Sequence, residues 1–188
     1  MIDCLTRLPN LRLGLNPTYV KEKNDKKYFY AEYKFEHVFG NETIELFNNL
    51  GILQYVRGVQ LFRSNGQVDN PIHIDGVYHT TNEGVINWVP EDTAESDWAT
   101  EFYEFPVEAG NKLDNDKLLG SEIRFYKQPG QTPIEVWSSP TTEPVLLRVN
   151  VPHKIVNKND RERWCYSIRF VTSKLNYYGL KEILSPYQ

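Results

Sequence analysis

Residues 144–171 read PVLLRVNVPHKIVNKNDRERWCYSIRFV. Two apolar runs, PVLLRVNV at 144–151 and RWCYSIRFV at 163–171, enclose HKIVN and a charged hinge. Their β-branched and aromatic residues interleave with polar ones, as strands require. The pattern repeats outward: ILQYVRGVQLF (52–62), PIHID (71–75), GVINWV (84–89), ATEFYEFPV (99–107) and IEVWS (134–138) are short runs separated by turn-rich segments. This punctuation predicts a mainly-β chain, a double-sheet sandwich or jelly roll with a few flanking helices. Alternation alone does not separate a jelly roll from an immunoglobulin-like sandwich, since both show it.

Further upstream, KKYFYAEYKFEHVF (26–39) alternates and predicts another strand, with Tyr30, Glu32 and Lys34 interleaving with Ala31, Tyr33 and Phe35. NETIELFNNLG (41–51) predicts a helix: Asn41 as the cap, Glu42 and Glu45 in the first turns, an apolar stripe from Ile44, Leu46, Phe47 and Leu50, and Gly51 as the stop. No internal repeat or low-complexity tract competes. One domain over 1–188 is expected, with flanking strands and helix over 1–70 and the jelly-roll core over 71–172.

His73 and Asp75 stand two residues apart in PIHIDG (71–76). In an extended segment such a pair projects from one face, aiming an imidazole and a carboxylate at the same point. His153 supplies a third ligand from a distant strand. Two histidines and one carboxylate leave the opposite positions of an octahedral ion open, the ligand set of non-heme Fe(II) oxygen chemistry; a closed structural zinc site uses four ligands. The bland alternative is a pair of hydrogen-bonded histidines. Arg163, ten residues beyond His153, weighs against it, because its rigid fork of donors meets a carboxylate in bidentate fashion. His79 falls in a predicted loop without a following arginine, and His37 follows an alternating strand and reads as structural.

These segments, PIHIDG and GVINWV at one end and PVLLRVNVPHKIVN through SIRF at the other, resemble the 2-oxoglutarate-dependent Fe(II) oxygenases. The spacing His153-x-x-x-Asn157-x-x-Asp160-Arg161-x-Arg163 is most similar to the aspartyl/asparaginyl β-hydroxylase-like branch. The resemblance covers roughly residues 70 to 170. It implies a cupin-like double-stranded β-helix, iron on His73, Asp75 and His153, and 2-oxoglutarate as co-substrate with its distal carboxylate on Arg163. Members of that branch can lack the metal-binding carboxylate, whereas this chain has Asp75.

Other residues are candidates for the same site. Arg169 and Ser167 share the facing parity of Arg163 on a continuous strand and are further candidates for the co-substrate; an ion pair and a strand hydrogen bond are their structural alternatives. Asn87 and Arg148 are polar residues inside apolar strands and each needs a partner. For Asn87 that is 2-oxoglutarate or backbone; for Arg148, substrate or a carboxylate within 91–108. Trp88 and Trp98 join Arg148 as candidate substrate contacts. The acidic, aromatic stretch 89–120 reads as a lid or as a solvated connection.

With 40% hydrophobic and 24% charged residues the chain has the material for a real core. A net charge of −4 and a sequence pI near 5.6 argue against general affinity for nucleic acid. KEKNDKK (21–27), the dense basic stretch, reads as a solvated loop. Cys4 and Cys165 form neither a zinc cluster nor a disulfide framework. No apolar run reaches membrane-spanning length and the N-terminus lacks a signal-peptide pattern, so cytoplasm is the expected location. The expected function is a hydroxylase acting on a protein side chain or a small molecule. The rivals are a non-redox cupin-like small-molecule binding protein, a cupin metalloenzyme working without 2-oxoglutarate, and a structural protein.

Overall fold

The computed structural model describes residues 3–24, 30–64, 68–69, 72–75, 82–90, 97–104, 123–125, 131–158 and 160–188, with only the backbone at 21–24, 30, 64, 68 and 123–125. The strand Arg163–Phe170 (β12) is buried at every residue, so both of its faces are covered. Trp164, Tyr166, Ile168 and Phe170 enter an outer hydrophobic cluster, whereas Cys165 enters a second, inner one. With period two, Arg163, Ser167 and Arg169 therefore share the inner face with Cys165.

The remaining described strands are β1 (Leu5–Arg7), β2 (Tyr30–Tyr33), β3 (Val56–Ser64), β4 (Val68–Asp69), β5 (Ile72–Ile74), β6 (Gly84–Trp88), β7 (Trp98–Phe102), β8 (Ile123–Phe125), β9 (Glu135–Ser138), β10 (Val145–Arg148) and β11 (His153–Asn157). They form two sheets, ordered β1-β10-β6-β12-β3-β2 and β8-β5-β11-β7-β9, with β4 also pairing β11. The antiparallel pairs nest: β7 with β9, β6 with β10, β5 with β11, and β3 with β12. A chain doubled back on itself and then rolled pairs its strands in this way, and the fold is the jelly roll expected from the punctuated strands. β3, which precedes residue 71, is an integral part of the roll.

Helices α1 (Pro17–Asn24), α2 (Phe35–Val38), α3 (Asn41–Asn49) and α4 (Tyr177–Ile183) accompany the sheets. Phe35, Val38, Phe39 and Phe47, from α2, α3 and the intervening turn, pack with Leu61, Ile86, Leu146 and Tyr166 in the outer cluster. The inner cluster lies between the sheets and includes Val85, Val89, Trp98, Phe102, Trp137, Val145 and Leu147.

Four local expectations are corrected. The strand expected over 26–39 ends at Tyr33 and α2 follows, because Phe35, Val38 and Phe39 carry helical spacing and all bury; the Phe35 ring lies 4.7 Å from that of Phe47. α3 forms where expected, but Gly40 occupies the cap position and no side chain caps it. The run 52–62 opens with a 3-10 turn over Leu53–Tyr55 before β3 begins. Residues 21–24 of the expected basic loop belong to α1, and 25–27 lie outside the described residues.

α4 was not anticipated from the sequence. Asn176 caps it, its side chain accepting a hydrogen bond from the Gly179 amide. The helix rests directly on β6, where a Cβ at Gly84 would fall 2.7 Å from Tyr177 Cα and 3.1 Å from Leu180 Cδ1. Asp3 ties the chain start to this helix, accepting from Tyr177 Oη at 3.1 Å and Lys181 Nζ at 2.5 Å. Gly84→Ala is expected to push α4 off the sheet and cost about 1–3 kcal/mol, the usual range for overpacking; the urea midpoint of unfolding measures it.

Candidate metal centre

His73 on β5 is the antiparallel partner of His153 on β11. Directly opposed residues of such a pair project from the same face, and the two imidazole centroids stand 4.5 Å apart. Asp75 follows the end of β5 and is held there by its amide, which donates to the Val149 carbonyl at 3.0 Å. Its Oδ1 lies 3.6 Å from His73 Nε2 and 3.8 Å from His153 Nε2. Ligand atoms of the three residues lie within 4.8 Å of one another.

Three donors at about 2.1 Å from one ion stand about 3.0–3.5 Å apart, depending on the bond angles; the two Asp75–imidazole distances are within a few tenths of an ångström of that, and the remaining pair, inside the 4.8 Å limit, closes by up to about 1 Å on a divalent metal. The donors are also in suitable states. His153 Nδ1 donates to the Val151 carbonyl at 2.9 Å, which leaves the Nε2 lone pair facing the other two ligands. Burial, reinforced by His73, lowers the His153 pKa to about 4, so the ring is neutral near pH 7. Burial would raise Asp75, but Arg169, His153 and His73 outweigh it and hold the carboxyl at about 2.

Arg169 Nη2 meets Asp75 Oδ2 at 2.7 Å, and its Nη1 lies 3.7 Å from Glu83 Oε1. Its guanidinium is thus engaged by two carboxylates, with Nε left without a hydrogen-bond partner. Burial pushes the Glu83 carboxyl up against the pull of Arg169.

Arg163 occupies the other end of β12, roughly 20 Å from Arg169 by strand rise. It is 2% exposed, and its guanidinium carbon stands 4.6 Å from the centroid of the Trp98 ring. Nε and Nη2, the two donors of its side-on edge, have no hydrogen-bond partner, and no carboxylate among the described residues opposes the desolvation that pulls its pKa down. Ser167 pairs in register with Asn87 on β6, and Ser167 Oγ and Asn87 Oδ1 also lack partners. Buried polar atoms are ordinarily satisfied, so this inner face has the donors and acceptors of a polar ligand. Asn87 as a residue is only half-buried, while its Oδ1 is shielded from solvent.

The other sequence candidates lie elsewhere. Trp88 is on the outer face, 5.7 Å from the Tyr166 ring, and its indole donates to the Thr142 carbonyl at 2.9 Å. Arg148 donates to Asn150 at 3.1 Å, Tyr178 at 3.2 Å and Asn82 at 2.7 Å, all neutral acceptors rather than the carboxylates expected within 91–108. His37 stacks on Tyr33 at 5.7 Å. His79 and most of the 89–120 stretch lie outside the described residues; 98–102 of that stretch form β7. Glu83 escaped sequence reasoning, since a lone acid before GVINWV carries no spacing signal.

No family model matches the chain, and no curated protein matches its sequence. Three solved structures are similar to it. E. coli ycfD aligns at 12% identity and a TM-score of 0.37 over 67% of this chain and 29% of that one. AviO1 from Streptomyces viridochromogenes Tue57 aligns at 11% identity and 0.43, over 89% of each chain. The dTDP-4-dehydrorhamnose 3,5-epimerase from Elizabethkingia anophelis NUHP1 aligns at 8% identity and 0.36, over 86% of this chain and 75% of that one. The chain spans less than a third of the length of ycfD. Likenesses this distant carry no functional argument; the fold rests on the strand pairing above.

The site makes stability depend on pH with a definite sign. His153 titrates near its ordinary 6.5 in the unfolded chain but near 4 in the folded one, so falling pH protonates the unfolded state first. The metal-free protein is expected to lose stability from about pH 6.5 to 4 at roughly 1.4 kcal/mol per unit. Asp75, depressed from 3.8 to about 2, stabilises the fold above pH 4 and extends the loss below it. Urea unfolding as a function of pH measures this, and His153→Gln is expected to flatten the curve between pH 6.5 and 4.

Proposed function

We propose that this protein is an Fe(II)- and 2-oxoglutarate-dependent oxygenase that hydroxylates a carbon of a protein side chain or small molecule. One observation carries the reading. A three-donor His/Asp/His group and a buried arginine with a free side-on edge line the same inter-sheet space. When bound, iron and 2-oxoglutarate supply dioxygen activation coupled to oxidative decarboxylation of the co-substrate.

The residues of the chain divide the remaining tasks. His73, Asp75 Oδ1 and His153 Nε2 hold the metal on one side and leave its other positions open. Arg163 receives the distal carboxylate on Nε and Nη2, a bidentate charge-assisted pair. Ser167 and Asn87 complete that end. Trp98 faces Asn157, four residues along β11 from His153 and so roughly 13 Å away. A five-carbon diacid held by both ends would have to bridge that span together with the side chains. Arg169 stands at the metal end, where its unpartnered Nε is the remaining donor for the co-substrate. Trp98 caps the Arg163 guanidinium, while Arg148 and Trp88, on the outer face, take no part.

No helix among the described residues is long and apolar enough to cross a membrane. The thiols Cys4 and Cys165, neither joined in a disulfide, suit the reducing cytoplasm that a ferrous site needs. Neither the net charge nor the interior asks for a nucleic-acid partner.

Anaerobic titration with Fe(II) and then 2-oxoglutarate is expected to develop the visible charge-transfer band of a chelated 2-oxo acid. His153→Ala should lose metal and band together. Arg163→Ala should retain iron yet bind 2-oxoglutarate at least about 30-fold more weakly, the equivalent of about 2 kcal/mol for truncating one partner of a buried charge pair. Equal 2-oxoglutarate binding by the Arg163 variant would sink the anchor assignment. Iron binding without a band hands the site to a metalloenzyme of another kind, and no metal binding leaves a small-molecule binding protein.

A further inference from the structure

We propose that Glu83 is a positioning residue of the metal centre, acting through Arg169 to keep Asp75 a one-oxygen ligand; the inference rests on the metal-site reading above. Asp75 presents Oδ1 to both imidazoles while Oδ2 accepts from Arg169 Nη2 at 2.7 Å. Arg169 is 8% exposed, and its second terminal nitrogen is drawn towards Glu83 at 3.7 Å.

The same residues are joined through the backbone. The Val149 amide donates to the Glu83 carbonyl at 3.0 Å, and the Asp75 amide donates to the Val149 carbonyl at 3.0 Å. Asp75, Val149, Glu83 and Arg169 thereby close a ring of alternating main-chain and side-chain links. Glu83 grips the ligand loop from both sides.

Two consequences follow for the ion. With Oδ2 occupied, the carboxylate cannot swing to chelate with both oxygens, so three positions of an octahedral ion stay open where chelation would leave two. A diacid bound through two atoms, together with a third small molecule, needs all three. Glu83 also offsets the Arg169 charge, which would otherwise stand unbalanced beside a dication only one carboxylate away. Arg169 alone provides the hydrogen bond, whereas Glu83 provides its direction and its electrical balance.

The experiment titrates the metal-free protein and its Glu83→Gln and Glu83→Ala variants with Co(II) alone. Affinity is read together with the visible ligand-field spectrum, whose intensity changes with coordination number. Glu83→Ala is expected to weaken Co(II) by about 5–10-fold, at or below the 10–100-fold cost of removing a direct partner of a metal ligand because it acts one residue further out, and to alter the spectrum. Glu83→Gln, which keeps the size and loses the charge, should fall in between. Arg169→Lys, whose ammonium is a single point charge, should give the same spectral change as Glu83→Ala. A merely structural Glu83 would lower the unfolding midpoint and leave the Co(II) spectrum of the folded fraction intact. Affinities within twofold of the parent and unchanged spectra in both Glu83 variants would overturn the proposal while leaving the metal site standing. A parent protein that takes up neither Co(II) nor Fe(II) would remove the metal site and this inference with it.

Discussion

His73 and His153 face each other across a single antiparallel pairing, and the candidate centre depends on that register. A slip of one residue would send the ring of one partner to the opposite face of the sheet. β5 is only three residues long and is too short to secure its own alignment. β11 is fixed on one side by β7, which pairs all five of its residues, His153↔Phe102 to Asn157↔Trp98. On the other side β4 pairs β11 just ahead of β5, at Val156↔Asp69 and Asn157↔Val68, and β8 pairs all three residues of β5, so the alignment of the two imidazoles is held by the strands around them. Asp75 comes just beyond this ladder, and its amide is held by a strand connection of the opposite sheet.

The inner face of β12 orders the polar chemistry along one line. Arg169, Ser167 and Arg163 follow at alternate positions, interrupted only by Cys165. Placing two guanidinium groups between packed sheets is costly unless each finds an anion. At one end the chain itself provides Asp75 and Glu83. At the other it provides the face of an indole and no carboxylate among the described residues. This asymmetry separates an arginine held by carboxylates from one with an open edge, on a strand where sequence parity makes them equivalent.

What could be read from the sequence follows the period of two. His73 and Asp75 in PIHIDG, and Arg163, Ser167 and Arg169 in RWCYSIRF, share faces because strands alternate, and the strand punctuation sufficed for the sandwich. Alternation does not say which face is inward. Asn87 and Trp88 are neighbours and must diverge; packing against Tyr166 and Phe39 sends Trp88 outward and leaves Asn87 on the inner face opposite Ser167. Arg148 is similarly placed by α4, whose Tyr178 accepts from it and whose Tyr177, Leu180 and C-cap Leu184 bury, with close approach to β6 permitted by a bare glycine there. The engagement of Arg169 joins residues of β12, the end of β5 and the start of β6, and no local pattern spans that distance.

Arg163 also couples the interior to the solution outside. A guanidinium stripped of water, with an indole against its face and two donors unmatched, is a cost borne by the folded chain, and an anion seated on its open edge removes that cost. Binding to the native state alone raises stability by mass action, by about 2.7 kcal/mol at a hundredfold excess over the dissociation constant. For a chain of ordinary marginal stability that increment changes the fraction unfolded, and therefore exposed to proteases, by about a hundredfold. The lifetime of the protein would then report the concentration of any anion that occupies that edge.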